Sequence, residues 1–262
     1  MQNNYNGRFS PVFLFLIDIY NYMVYTHSVK YFKDGLIMKI VFFGDSVTDC
    51  NRVYDDPANI GDGYVKYTAD GLTQAFDGMD FEFINRGISG NRTCDLLARV
   101  DKDVIEHQPD IVTILIGVND TWRKFDMNDP TTAEQFRKNY EAIITKIKNE
   151  TNAKLIMMEP FVIYGMGREE FREDLNEKID VVRELAIKYA DYYIPLDGIL
   201  ASAVVEYKDP AVLSADGIHP AEDGKKVIAW HLMQVLYDTI LELCPDCGDD
   251  CGCGCDCGCD CE

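Results

Sequence analysis

The chain has 262 residues, 47% of them hydrophobic and 27% charged, enough to bury a sizeable core in one domain with extensions. Acidic residues outnumber basic ones by 45 to 25, and the formal net charge of −20 repels phosphate backbones and anionic lipid surfaces, which argues against nucleic acid or a membrane as partner. Of the ten cysteines only Cys50 and Cys94 precede residue 244. Two cysteines make no disulfide framework, so the body reads as a protein of a reducing, cytoplasmic compartment.

The first 37 residues contain an apolar stretch, Pro11 to Tyr25. Asp18 interrupts it, only Arg8 precedes it as a positive charge, and no small-residue cleavage site follows, so it makes a poor signal peptide and is short for a membrane span. We read residues 1–37 as an extension ahead of a translation start at Met38, residues 38–242 as one folded domain, and residues 243–262 as a tail.

From Met38 onward, short β-branched or aromatic runs alternate with segments of helical period, the pattern of βαβ units around a parallel sheet. Lys39–Phe43 is the first predicted strand and is followed by Gly44-Asp45-Ser46. A helix over about 63–76 leads to a strand at Phe81–Ile84 and the loop Asn85-Arg86-Gly87. A helix over about 92–107 precedes the strand Ile111–Ile116, which runs into Gly117-Val118-Asn119-Asp120. Helices over about 132–149 and 169–190 alternate with strands at Lys154–Met158 and Tyr192–Ile194, and a helix over about 221–241 ends the domain. Tyr140, Ile143, Ile144 and Ile147 form the buried stripe of the helix over 132–149. Five strands separated by helices predict a three-layer α/β/α sandwich around a five-stranded parallel sheet. Reacting groups in such a fold collect in the loops at the carboxyl ends of the strands, where the polar motifs fall.

A serine is a weak nucleophile unless a positioned base takes its proton, so Ser46 needs a histidine. His27 lies in the extension, His107 ends a predicted helix and His231 sits inside the last one. His219 lies in a loop, three residues after Asp216, and one short turn can carry both: the carboxylate bonds Nδ1–H and Nε2 faces the serine. Donors for a developing oxyanion are available in the Ser46 N–H, the Gly87 N–H and the Asn119 side-chain amide. Asp45 and Asp120 organise their loops; Asp45, Trp122 and Arg123 are also candidates for substrate contact, with Trp122 offering a face on which a sugar stacks. Cys50 lacks a partner in any motif and reads as a packing or loop cysteine.

The segments GDSVTD (44–49), NRGISGN (85–91), GVND (117–120) and DGIHP (216–220) resemble the four sequence blocks of the SGNH, or GDSL-type, hydrolases, in order. Ser46, Gly87, Asn119 and His219 stand at the positions that name that family. The motif differs from the nucleophile elbow of α/β-hydrolases, because Thr48 replaces the second glycine. With GDGYV (61–65), ILIGVNDTWR (114–123) and MEPF (158–161), the chain is similar to the intracellular acetyl xylan esterase branch. The resemblance implies an SGNH/flavodoxin-like fold, hydrolysis of acetyl esters of xylose-based saccharides through an acyl-enzyme on Ser46, no cofactor, and homo-oligomers. Alternatives are a lysophospholipase or thioesterase of the same family, and a catalytically idle carbohydrate- or metal-binding protein. The tail CPDCGDDCGCGCDCGCDCE (244–262) has no apolar residues for a core, and its thiolates, Cys244, Cys247, Cys251 and Cys253 among them, suit a soft metal such as Zn²⁺ or Cu(I).

Overall fold

A computed structural model describes residues 37–244. Its five parallel strands are β1 (Ile37–Gly44), β2 (Asp80–Gly87), β3 (Ile111–Leu115), β4 (Lys154–Met158) and β5 (Tyr192–Ile194), in the spatial order β2-β1-β3-β4-β5. The eight α-helices are α1 (Ser46–Asp49), α2 (Tyr64–Ala75), α3 (Thr93–Asp103), α4 (Val118–Asp126), α5 (Ala133–Glu150), α6 (Arg172–Tyr189), α7 (Leu196–Tyr207) and α8 (Glu222–Leu243).

The inner strands β1, β3 and β4 are near-continuous apolar runs because both faces of the sheet are covered. Along β1, alternate side chains enter opposite layers: Ile40 and Phe42 pack with Leu72 of α2, Leu200 of α7 and Leu232 of α8, while Val41 and Phe43 pack with Leu96 of α3, Ile143 of α5 and Val182 of α6. From β1 the chain moves outward to β2, then returns to the other side of β1 to lay down β3, β4 and β5. The connections leaving β1 and β3 therefore diverge, and a crevice opens at the carboxyl ends of these two central strands.

All five predicted strands are present, and the predicted fold class is the observed one. The expected helix over 92–107 breaks at Val104, beyond which Ile105–His107 form a 3₁₀ turn, and the one over 169–190 begins with a 3₁₀ turn at Glu169–Phe171. Helices α1, α4 and α7 have no counterpart among the predicted elements. The first two lie inside loop motifs, and α7 follows Pro195 with apolar residues nearly all round, so it has no helical period to detect. At the domain edges, Ile37 already pairs with Asp80, and the last helix runs to Leu243, capped by Cys244. Cys244 is buried against the sheet-covering core and so belongs to the domain, not to a tail. The remaining tail cysteines, including Cys247, Cys251 and Cys253, and residues 1–36 lie outside the described residues.

Candidate active site

The end of β1 is built tightly: a Cβ on Gly44 would lie 2.3 Å from Thr48 Oγ1 and 2.6 Å from the Leu115 carbonyl oxygen. The chain then turns at Asp45, whose Oδ1 accepts the Val47 N–H at 3.0 Å and caps α1. Ser46 is the first residue of that helix, where backbone N–H groups point away from the helical ladder, and its N–H has no acceptor among the described residues.

Across the crevice, the loop before α8 brings in His219. Ser46 Oγ lies 3.0 Å from His219 Nε2, and His219 Nδ1 lies 2.6 Å from Asp216 Oδ2. The other carboxylate oxygen, Asp216 Oδ1, accepts the backbone N–H groups of Ile218 at 2.9 Å and His219 at 2.8 Å and the Ser214 hydroxyl at 3.2 Å. Partial burial works against ionisation of Asp216, but the bonds from the imidazole and from the two N–H groups outweigh it and hold the carboxyl down at about 2. An ionised Asp216 fixes the imidazole with its proton on Nδ1, leaving the Nε2 lone pair to accept the Ser46 proton.

The turn carrying this pair is braced from outside. Ile163 N–H donates to the Gly217 carbonyl at 2.8 Å, and Arg168 Nε–H donates to the Asp216 carbonyl at 3.0 Å. The Arg168 guanidinium also sits over the Trp122 ring, 5.2 Å from its centroid, and Trp122 lies 6.2 Å from the His219 ring. Trp122 thus stands beside the histidine. Arg123 does something else: it pairs with Asp126 and donates to Asn119 Oδ1 at 3.3 Å, holding that amide in place. Asn119 Nδ2 donates to the Asn91 carbonyl at 3.1 Å, with a longer contact of 3.4 Å to Asp45 Oδ2.

Two expectations need correction. Gly87 does not offer its N–H to the crevice, because that group donates to Asn85 Oδ1 at 2.8 Å. Its glycine is required for close packing instead, since a Cβ there would meet the Asp49 nitrogen at 2.1 Å. Directly after it, Ile88 to Asn91 form a turn closed by Asn91 N–H to Ile88 O at 3.2 Å, with Gly90 at φ +83°. The Gly90 N–H has no acceptor among the described residues, and Ser89 beside it lines the cleft with Ser46 and His219. Asp45 is the second correction: it is 1% exposed, so it caps α1 and does not touch substrate. Burial pushes its carboxyl up to about 7. Asp120 organises its loop as expected, accepting the Thr93 N–H at 3.0 Å and the Thr93 hydroxyl at 2.7 Å, and burial raises it to about 6.

The cleft over Ser46 has a volume of about 320 Å³ and is walled by Asn51, Tyr64, Ser89, His219 and Lys225 among others. Cys50 also lines it, but burial, ahead of its bond to Asp62, pushes the thiol up to about 11, which leaves it a poor nucleophile. Among the described residues, no group of three or more His, Cys, Asp or Glu side chains is placed to hold a metal ion.

Residues 42–227 match the sequence profile of the GDSL-like lipase/acylhydrolase family. The chain belongs to this family. As a GDSL hydrolase it is a carboxylic ester hydrolase, and its relatives bear esterase names. It is 32% identical to an acetylxylan esterase from Geobacillus stearothermophilus over 204 residues, 75% of this chain and 93% of that protein. The crystal structure of that esterase superposes with a TM-score of 0.68 over 78% of this chain and 94% of the other, at 30% identity. A GDSL-like lipase from Parabacteroides merdae superposes with a TM-score of 0.71 at 31% identity, over 76% of this chain and 96% of its own. Thioesterase 1/protease 1/lysophospholipase L1 of Escherichia coli K12 is more distant, 28% identical over 58% of this chain and 66% of that protein.

Proposed function

We propose that this GDSL hydrolase removes acetyl groups from hydroxyl-bearing sugars, with acetylated xylo-oligosaccharides as the substrate class, through an acyl-enzyme on Ser46. The observation that carries the proposal is the unbroken relay from Ser46 Oγ through the His219 ring to Asp216, opening onto a cleft with polar walls.

In this reading Ser46 Oγ attacks the acetyl carbonyl as its proton passes to His219 Nε2, and the imidazolium formed is stabilised by the ionised Asp216. Negative charge on the carbonyl oxygen is met by the unengaged N–H groups of Ser46 and Gly90 and by Asn119 Nδ2, whose long contact to Asp45 is readily exchanged for the oxyanion. His219 then protonates the sugar alcohol as it leaves. A water molecule, deprotonated by the same imidazole, attacks the acyl-enzyme and releases acetate. None of these steps calls on a cofactor.

The short acyl group is supported by the likeness to the acetylxylan esterase of Geobacillus stearothermophilus, 32% identical over 75% of this chain. The E. coli relative keeps lysophospholipase or thioesterase action as the second reading. Acetate release from acetylated xylo-oligosaccharides, set beside an acyl-length series of p-nitrophenyl esters, tests the proposal: the rate should fall steeply beyond a few carbons, and a rate that rises with chain length would favour the second reading. The proposal extends to a homo-oligomer acting inside the cell, which sedimentation of the native protein and cell fractionation check.

A further inference from the structure

Cys50 and Asn51, immediately after α1, both adopt left-handed backbone, at φ +37° and +65°. Two successive non-glycine residues in that region store strain that the surroundings must hold, and such strain collects where a side chain has to be aimed. Here the surroundings come from Gly61-Asp62-Gly63. A Cβ on Gly61 would lie 2.5 Å from the Cys50 carbonyl oxygen, and one on Gly63 would lie 2.5 Å from Cys50 Cβ, so only glycines let this segment close on the strained corner. Between them Asp62 fastens it: its N–H donates to the Cys50 carbonyl at 2.9 Å, while its carboxylate accepts Cys50 Sγ–H at 3.2 Å and Asn51 Nδ2 at 3.3 Å. From α8, Lys225 Nζ donates to the Asp62 carbonyl at 3.0 Å and reaches the carboxylate at 3.5 Å.

Both Asn51 and Lys225 line the cleft that contains Ser46 and His219. Neither takes part in the relay or in the oxyanion donors. Asn51 Oδ1 accepts no hydrogen bond among the described residues, and Lys225 has three N–H donors with the Asp62 segment as its polar neighbour. A fixed acceptor and a fixed donor, held in place before substrate arrives, suit a ligand with several hydroxyls and are wasted on an alkyl or aryl alcohol.

We propose that Asn51 and Lys225, locked by the Gly61-Asp62-Gly63 segment, form the subsite that binds the free hydroxyls of the sugar leaving group. This rests on the serine esterase reading above and adds the residues that select the alcohol half of the ester. Asn51 Oδ1 accepts a sugar hydroxyl proton, and the Lys225 ammonium donates to a sugar oxygen.

The test compares kcat/KM for monoacetylated xylobiose, which keeps free hydroxyls, with that for p-nitrophenyl acetate, which has none. In Asn51→Ala and in Lys225→Met, the ratio of the two should fall at least tenfold, mainly through a raised KM for the sugar ester. Loss of both activities in equal proportion would overturn the subsite, since it would mean that the corner only supports Ser46. An unchanged ratio would overturn it too. Ser46→Ala serves as the separate control: turnover of both esters by that variant would sink the serine reading itself, whatever the ratio does.

Discussion

Burying Asp45 has a consequence for folding that can be measured. Its carboxyl is raised to about 7, chiefly by burial, against 3.8 in the unfolded chain. Between these values the folded protein holds a proton that the unfolded chain has released, so stability falls as pH rises from about 4 to about 7, and the whole deficit is present above that. At about 1.4 kcal/mol for each pH unit between the two values, the deficit at pH 8 is about 4 kcal/mol. Asp45→Asn abolishes the ionisation and keeps a side-chain oxygen for the Val47 N–H. Its new amide faces Asn119 Nδ2, now 3.4 Å from Asp45 Oδ2, and that donor–donor contact takes back about 1–2 kcal/mol. The variant should therefore be more stable than the parent at pH 8 by about 2 kcal/mol or more, with the advantage lost below about pH 5. Urea unfolding at pH 4, 6 and 8 measures this. A variant less stable than the parent at pH 8, or one with the parent's pH dependence, would show that Asp45 ionises in the folded protein as it does in the unfolded chain.

The two glycines of the 85–91 loop should respond differently. Gly87→Ala drives a Cβ into the Asp49 backbone and should destabilise by about 3 kcal/mol or prevent folding, whereas Gly90→Ala has open space and loses only about 1–2 kcal/mol to its positive φ, as thermal melts would show. Arg168→Ala should lower kcat roughly tenfold at nearly constant KM, by freeing the Asp216 carbonyl and Trp122 together, and Arg168→Lys should not restore it because an ammonium lacks the planar fork. Steady-state kinetics on p-nitrophenyl acetate check this, and a change confined to KM would contradict it. Asp216→Asn should keep the fold but reduce kcat by about 10⁴, as the amide favours the wrong imidazole tautomer; a loss under tenfold would remove Asp216 from the relay.

The sheet was legible because each strand is a short β-branched or aromatic run, and β4 and β5 begin and end where those runs do. Helix α4 escaped because its nine residues are mostly polar and start within the Asn119 motif, and α7 because its apolar residues surround the helix. At the site, Ser46, Asp216 and His219 could be named from the chain alone, since the chemistry demands a histidine in a loop and a carboxylate one turn away. The oxyanion glycine was a different matter, with Gly87 expected and Gly90 three residues further on. Both stand in one motif, and only the folded loop decides that the first N–H is consumed by Asn85 while the second is left open. Arg168 carried no local signal, for it lies 48 residues from the carbonyl that it holds. The burial of Asp45 likewise depends on chain segments that reach it only through the fold.

In the chemistry proposed above, His219 activates Ser46 as a nucleophile. A fluorophosphonate probe tests it most directly, followed by peptide mass spectrometry of the labelled protein. One equivalent of label on Ser46 is predicted, with no labelling of Ser46→Ala and a strongly slowed reaction in His219→Ala. Labelling at another residue, or none in a folded protein that still turns over acetyl esters, would contradict it.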